Sequence, residues 1–303
     1  MLNVYEQVDL NKRKSFLVIL GFVFFVVFAA WLFTRVLDLG PGVMGIALIF
    51  SGLMSFVSYY YSDKIILTIS GARPATKEKE FVFYSVAENL ALAANIPKPS
   101  LYVIEDTAMN AFATGRDPQH AVVCATTGLL TRLNRTEIEG VIAHELSHVR
   151  NYDMRLMSVV TVLVGLVTLL ADWFLRGSRI FGSGRSKKEG SNQIQAVLLV
   201  VAVLLGLLGP LIAQLIQLAI SRRREFLADA GSALITRQPS GLISALQKLN
   251  SDKEPLEAAN KATAHLYITN PLKNLHSGIG WFAGLFNTHP PIRERIKALE
   301  GML

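Results

Sequence analysis

Long apolar blocks alternate with polar stretches along this chain. Phe16 to Phe33, Pro41 to Tyr61, Met157 to Leu175 and Ala196 to Ile220 are each about as long as the ~20 residues that cross a bilayer as a helix. The first two blocks read as a transmembrane hairpin, broken near Asp38-Leu39-Gly40-Pro41, where Gly and Pro interrupt helices. From Phe81 to Ala94 apolar positions recur at helical spacing, and Pro97 and Pro99 follow as stops. Leu101-Tyr102-Val103-Ile104 and Ala121-Val122-Val123-Cys124 are β-rich runs separated by the turn residues Gly115 and Asp117-Pro118. They predict a small antiparallel sheet. Next comes a helix capped by Asn134 or Thr136, with Glu137 or Glu139 three residues on and Ile138, Val141, Ile142 and Val149 on its apolar face. The third block starts just after this helix and the fourth ends just before Glu225, so both are expected to continue into polar helices, directly or through a bend.

These elements predict a mainly α membrane protein of α+β type with four transmembrane helices. Residues 1–63 form the hairpin anchor, 64–156 the first part of a folded domain, 157–220 the third and fourth spans with a flexible basic loop at 176–195, and 221–303 the second part. No internal repeat is visible.

Composition agrees with a membrane protein. Of 303 residues, 51% are hydrophobic and only 17% charged, and the mean hydropathy of +0.38 is too high for an ordinary soluble domain. A secretory leader is the competing reading of Lys12-Arg13-Lys14 and the first block. The block lacks a small-x-small cleavage site, is long for a leader and meets a second block, so it reads as an uncleaved anchor. Basic residues at Lys12, Arg13, Lys14, Lys64, Arg73, Lys77 and Lys79 flank the hairpin, whose connection carries only Arg35, placing the N-terminus and folded domain in the cytoplasm. The basic 176–195 loop runs against this tendency, so the third and fourth blocks either dip without crossing or break the rule. The net charge of +7 comes largely from such juxtamembrane residues and gives no reason to expect a nucleic-acid partner. Cys124 is the single cysteine, which excludes an internal disulfide and suits a reducing compartment; it reads as a buried strand residue rather than a nucleophile.

The chemistry centres on His144-Glu145-Leu146-Ser147-His148. Two histidines four apart lie on one helical face one turn apart, so both imidazoles reach one ion, while Glu145 projects beside them as a general base. The competing view is a solvated helix with incidental histidines, and the full motif argues against it. Gly140, one turn earlier, would let substrate or another backbone approach. A catalytic zinc site has three protein ligands and an open position, so a third must lie elsewhere. Glu225 is the candidate, with Asp229 one turn on. Spacing alone leaves this pair equally readable as a juxtamembrane charge cluster.

Gly140-Val141-Ile142-Ala143 before the motif, together with Glu225-Phe226-Leu227-Ala228-Asp229, Asn110-Ala111-Phe112-Ala113-Thr114-Gly115 and His289-Pro290-Pro291-Ile292-Arg293-Glu294-Arg295-Ile296, resembles the HtpX branch of integral-membrane zinc proteases, whose eukaryotic relatives process CAAX prenyl proteins. The likeness covers nearly the whole chain; Leu227 stands where many relatives carry a polar residue. It implies a zincin-like catalytic domain binding one Zn2+ per chain through His144, His148 and Glu225, with Glu145 as general base. It further implies that Asp229, paired with Arg295, is an acid supporting a ligand. Ala111, Phe112 and Ala113 would form an edge strand that binds extended substrate, and Asn110 and His289 would help hold the oxyanion. Without the resemblance Asn110 reads as a turn residue and His289 as a loop histidine before two prolines.

The implied activity is Glu-assisted attack of a zinc-bound water on peptide or membrane-protein substrates, in quality control at the bacterial cytoplasmic membrane. The multi-pass chain would sit in the lipid bilayer with its catalytic domain in the cytoplasm. The alternative is a non-catalytic zinc-containing chaperone or scaffold that binds unfolded segments; Glu145 beside only three ligands argues against a closed structural site. A transporter is disfavoured because the blocks lack paired ionisable residues. Nothing in the sequence fixes an oligomeric state.

Overall fold

Two helices long and apolar enough to cross a membrane open the chain, α1 (Val4–Leu37) and α2 (Gly42–Ile69). A computed structural model describes residues 4–37, 40, 42–166, 222–252, 254–256, 263, 266–269 and 290–303. Ser51, Ser55, Ser58 and Ser62 form the buried stripe of α2, and such small side chains let helix backbones approach closely. Ser58 Oγ reaches Val159 O at 3.4 Å. The large residues Phe16, Leu17, Leu20 and Phe24 of α1 and Ile46, Ile49, Leu53 and Phe56 of α2 are exposed, an apolar surface suited to lipid and a liability in water.

Beyond the hairpin the described chain runs β1 (Arg73–Pro74), α3 (Phe81–Ala94), β2 (Ser100–Ile104), β3 (Ala111–Thr114), a 3₁₀ turn at Pro118–His120, β4 (Val122–Thr126), α4 (Thr127–Arg132) and α5 (Arg135–Arg150). Helix α6 is described over 153–166, followed by α7 (Arg222–Thr236), α8 (Pro239–Ser251) and α9 (Ile292–Glu300). Helix α2 continues past residue 63 to Ile69. Most of the third and fourth apolar blocks and the basic loop lie outside the described residues, so the four-span expectation extends beyond them. Helix α3 ends where Asn95 turns left-handed (φ 54°), two residues before Pro97.

The sheet is mixed, not antiparallel. Its order is β1-β2-β4-β3; β1/β2 and β3/β4 are antiparallel, but the central pair β2/β4 is parallel, with Tyr102 opposite Cys124. The two β-rich runs seen in sequence are indeed neighbours. The chain reverses twice between them, once into β3 and once out of it, so they point the same way.

Both faces of the sheet are covered, which explains runs that are continuously apolar rather than alternating. On one face Leu101, Val103, Val123 and Ala125 pack with α3, α5 and α8. On the other, Phe112, Val122 and Cys124 pack with Val18 and Phe22 of α1, Ile66 of α2 and Leu156, Val160 and Leu163 of α6. The α1–α2 hairpin is thus continuous with the core of the rest of the described chain.

Candidate metal centre

Helix α5 is fixed before it carries any chemistry. Asn134 Oδ1 accepts from the Glu137 amide at 3.0 Å and Glu137 Oε2 accepts from the Asn134 amide at 2.8 Å, a reciprocal cap. Glu137 also accepts from Ser244 Oγ (2.6 Å) and Lys248 Nζ (2.7 Å) of α8. Gly140 faces a backbone: a Cβ there would stand 2.5 Å from Leu242 N, so α5 rests directly on the start of α8. Gly231 similarly lies against Ser147, and Ser232 Oγ donates to Gly140 O at 2.8 Å, seating α7 on α5.

These contacts bring three residues together. The Nε2 atoms of His144 and His148 are 3.2 Å apart; Glu225 Oε2 lies 3.7 Å from the first and Oε1 3.6 Å from the second. One donor atom from each falls within 4.8 Å of the others, and all three residues are buried. Two ligand atoms held by a tetrahedral zinc at about 2.05 Å lie roughly 3.3 Å apart, so the imidazole pair fits one ion without rearrangement.

Each imidazole is held from behind. His144 Nδ1 meets Asp229 Oδ1 at 2.9 Å, and Arg295 grips Asp229 through Nε (2.8 Å) and Nη2 (2.6 Å). His148 Nδ1 meets Asp153 Oδ2 at 3.1 Å. Nothing in the sequence pattern pointed to Asp153: it lies five residues after His148, beyond a turn in which Tyr152 is left-handed (φ 59°), so helical periodicity does not relate the two.

A search against family models matches residues 79–303 to Peptidase family M48. The chain belongs to peptidase family M48. Its relatives include a Protease HtpX homolog of Thermoanaerobacter pseudethanolicus, 46% identical over 306 residues, covering 99% of this chain and 98% of that one. Another, from Caldanaerobacter subterraneus subsp. tengcongensis, is 43% identical over 300 residues, covering 99% and 98%. The crystal structure of S. mikatae Ste24p aligns at a TM-score of 0.51 and 20% identity over 89% of this chain; the chain spans 62% of that one, and the likeness is one of fold. This M48 peptidase is a membrane metalloendopeptidase. Its family membership sets aside the chaperone alternative.

The electrostatics of the M48 centre favour a cation. Four carboxylates, Glu145, Asp153, Glu225 and Asp229, and two guanidiniums, Arg224 and Arg295, are buried around the two imidazoles; with every carboxyl ionised and both imidazoles neutral, the state that binds metal, the site carries two negative charges that a dication offsets. Burial pushes Glu145 up to about 7, with Glu225 adding to the rise and His148 and Arg295 opposing it. Burial would lower His148, but its bond to Asp153 and the charge of Glu225 outweigh this and raise it to about 9, so a proton and a metal compete for this imidazole. Burial lowers His144. Burial alone would raise Asp229, yet Arg295 holds it below the usual carboxylate range. Burial also holds the Cys124 thiol far above its ordinary value, so it offers no thiolate.

Strand β3 lies at the sheet edge beside this centre. The Ala113 amide lies near Glu145 and favours its charged form. Residues 266–269 of the chain itself run along the same edge: Ile268 N donates to Ala111 O at 3.0 Å, and Arg295 Nη1 donates to Ile268 O at 3.3 Å. Asn110 holds this segment too, its Nδ2 donating to Thr269 O at 3.1 Å and its Oδ1 accepting from the Ala111 amide. Phe112 points to the opposite side and meets the Tyr267 ring edge-on, with centroids 5.2 Å apart. His289 lies outside the described residues.

Proposed function

We propose that this M48 peptidase is a zinc-dependent endopeptidase of the cytoplasmic membrane that cleaves misfolded or membrane proteins. The observation that carries this reading is the triangle of His144 Nε2, His148 Nε2 and a Glu225 carboxylate oxygen, with the buried Glu145 one residue along from the first histidine. His144, His148 and Glu225 would hold the zinc, a nitrogen and oxygen donor set suited to that ion. When bound, zinc supplies Lewis acidity, acidifying water and polarising the peptide carbonyl.

Glu145 is the proton carrier. Burial raises its carboxyl and a bound dication would lower it again, and a carboxylate so placed can accept a proton from water and return it. It takes the proton from water as the water oxygen attacks the carbonyl carbon, then delivers it to the amide nitrogen as the C–N bond breaks. The products are a carboxylic acid and an amine, which exchange the remaining proton to leave a carboxylate and an ammonium group. Extended substrate would lie along Ala111, Phe112 and Ala113 of β3, adding a strand to the sheet edge. Asn110 and His289 are assigned to the carbonyl oxygen as it gains charge. For Asn110 this requires its Nδ2 to leave Thr269 O.

Asp229 and Arg295 keep His144 aligned. The folded parts at 64–156 and 221–303 act as one catalytic domain on the 1–63 hairpin, with 157–220 supplying two further spans; the basic residues around the hairpin favour a cytoplasmic site. Packing of α1 against the sheet and α6 supports a membrane-proximal site, where segments emerging from the bilayer meet the centre first.

Zinc content and cleavage of an unfolded membrane-protein reporter, measured together on wild type and Glu145→Gln, test this reading. The variant should keep its zinc and lose turnover. Undiminished turnover in zinc-loaded Glu145→Gln would sink the assignment.

A further inference from the structure

Asn11 is out of place in a membrane helix. It stands in the polar first turns of α1, yet only 1% of it is exposed. Its Nδ2 donates to Asp153 Oδ1 at 2.7 Å and to Asn151 O at 2.9 Å. A flipped amide would turn its oxygen toward that carboxylate, so the assignment is fixed by charge. Its Oδ1 has no hydrogen-bond partner among the described residues. A buried amide that leaves its acceptor unmatched is a poor stabilising device.

What Asn11 touches is the corner between α5 and α6. Asn151 closes α5, its amide bonded to Ser147 O, and the left-handed Tyr152 swings Asp153 back beneath His148. Lys12, the next residue of α1, places Nζ 4.7 Å from the centroid of the Tyr152 ring. Asp153 therefore has one carboxylate oxygen on Asn11 and the other on His148 Nδ1. A carboxylate only accepts, so it keeps the His148 proton on Nδ1 and leaves Nε2 with its lone pair toward His144 and Glu225.

We propose that Asn11 is a positioning residue of the metal centre: by clamping Asp153 it fixes the tautomer and orientation of His148, so that the membrane anchor completes the site. This rests on the zinc reading of His144, His148 and Glu225. The anchor then does more than tether. A catalytic domain detached from α1 would retain its three ligands and hold metal poorly.

The test uses the full-length, zinc-loaded protein in detergent, with EDTA as the competing chelator. Asn11→Leu keeps the number of side-chain heavy atoms and the branch at Cγ and removes both donors; loss of such outer partners costs ~10–100-fold in metal retention, and zinc release about tenfold faster than wild type is expected here. Asp153→Asn should release zinc faster still, because its amide can present a donor to Nδ1 and favour the wrong tautomer. Melting temperature with and without zinc separates positioning from mere packing: in Asn11→Leu the rise produced by zinc should shrink. A structural role would instead lower both melting points and leave that rise intact, overturning the inference, as would wild-type zinc release. Glu225→Ala is the control for the underlying reading. If it retains full zinc, the ligand set falls and this inference with it; if it loses zinc while Asn11→Leu behaves as wild type, only the role of Asn11 falls.

Discussion

Arg295 and Asp229 form a two-pronged ion pair across 66 residues of sequence, Nε to Oδ2 and Nη2 to Oδ1, with neither side chain open to solvent. Removing one partner of such a pair leaves a buried charge and costs about 3–5 kcal/mol. Arg295→Met should lower the unfolding free energy by that amount in denaturant titrations. The double variant Asp229→Leu/Arg295→Met should recover most of it, since a buried pair replaced by apolar residues is often neutral. It should still retain zinc poorly, because His144 Nδ1 has lost its acceptor. A wild-type unfolding midpoint for Arg295→Met alone would show that the pair is not needed for stability.

Gly140 makes a sharper steric prediction. Alanine would favour the helix by about 1 kcal/mol, but its Cβ would stand 2.5 Å from Leu242 N and 2.7 Å from Leu242 Cα, atoms that cannot move aside cheaply. Overpacking of this kind costs about 1–3 kcal/mol. Gly140→Ala is therefore expected to melt at a lower temperature than wild type. Equal or higher melting would mean that α8 shifts freely and that the close contact does not position α5.

How much of this was legible in the sequence depends on the distance over which each feature is determined. The His144–His148 face and the span of α3 follow from helical periodicity and neighbouring residues and are visible locally; the cap narrows to Asn134 or Thr136 in sequence, and the structure selects Asn134. The direction of β4 relative to β2 is not local, because it depends on the passage through β3 between them. Glu225 and Asp229 read equally well as surface charges until the resemblance, and then the packing of α7 on α5 through Gly231 and Ser232, gave them a place. Asp153 and Asn11 left no sequence signal at all. One is brought beneath His148 by the left-handed Tyr152 and the other reaches it across 142 residues, so tertiary structure alone relates them.

The Glu137 site predicts a pH dependence with a definite sign. Burial would raise its carboxyl, but hydrogen bonds from Lys248, Ser244 and the Asn134 amide prevail and hold it below the usual carboxylate range. A depressed folded-state pKa contributes stability above the unfolded-state value of about 4.3, lost as pH falls through the folded value. Glu137→Gln should therefore lower stability near neutral pH, and the gap from wild type should narrow as the buffer is taken below the ordinary carboxylate range. Melting curves across that window check this; a gap that stays constant would mean Glu137 contributes by packing rather than charge.

Asn110 is where two roles compete, and kinetics can separate them. Its Nδ2 donates to Thr269 O and its Oδ1 lies 3.4 Å from the Thr269 amide, so in this conformation it clasps residues 266–269 to the β3 edge. If the side chain turns to the substrate carbonyl during reaction, Asn110→Ala removes a donor that acts mainly in the transition state. Loss of one such donor lowers kcat by roughly 10²–10³ with little change in KM. If it serves only the clasp, the edge strand is freed for substrate: KM should fall, kcat should hold, and the protein should melt earlier. Steady-state cleavage of an unfolded reporter, alongside melting curves of the same preparation, distinguishes the outcomes. Under the proposed mechanism the kcat loss is expected, and retention of kcat would reassign Asn110 from the carbonyl to the segment it holds.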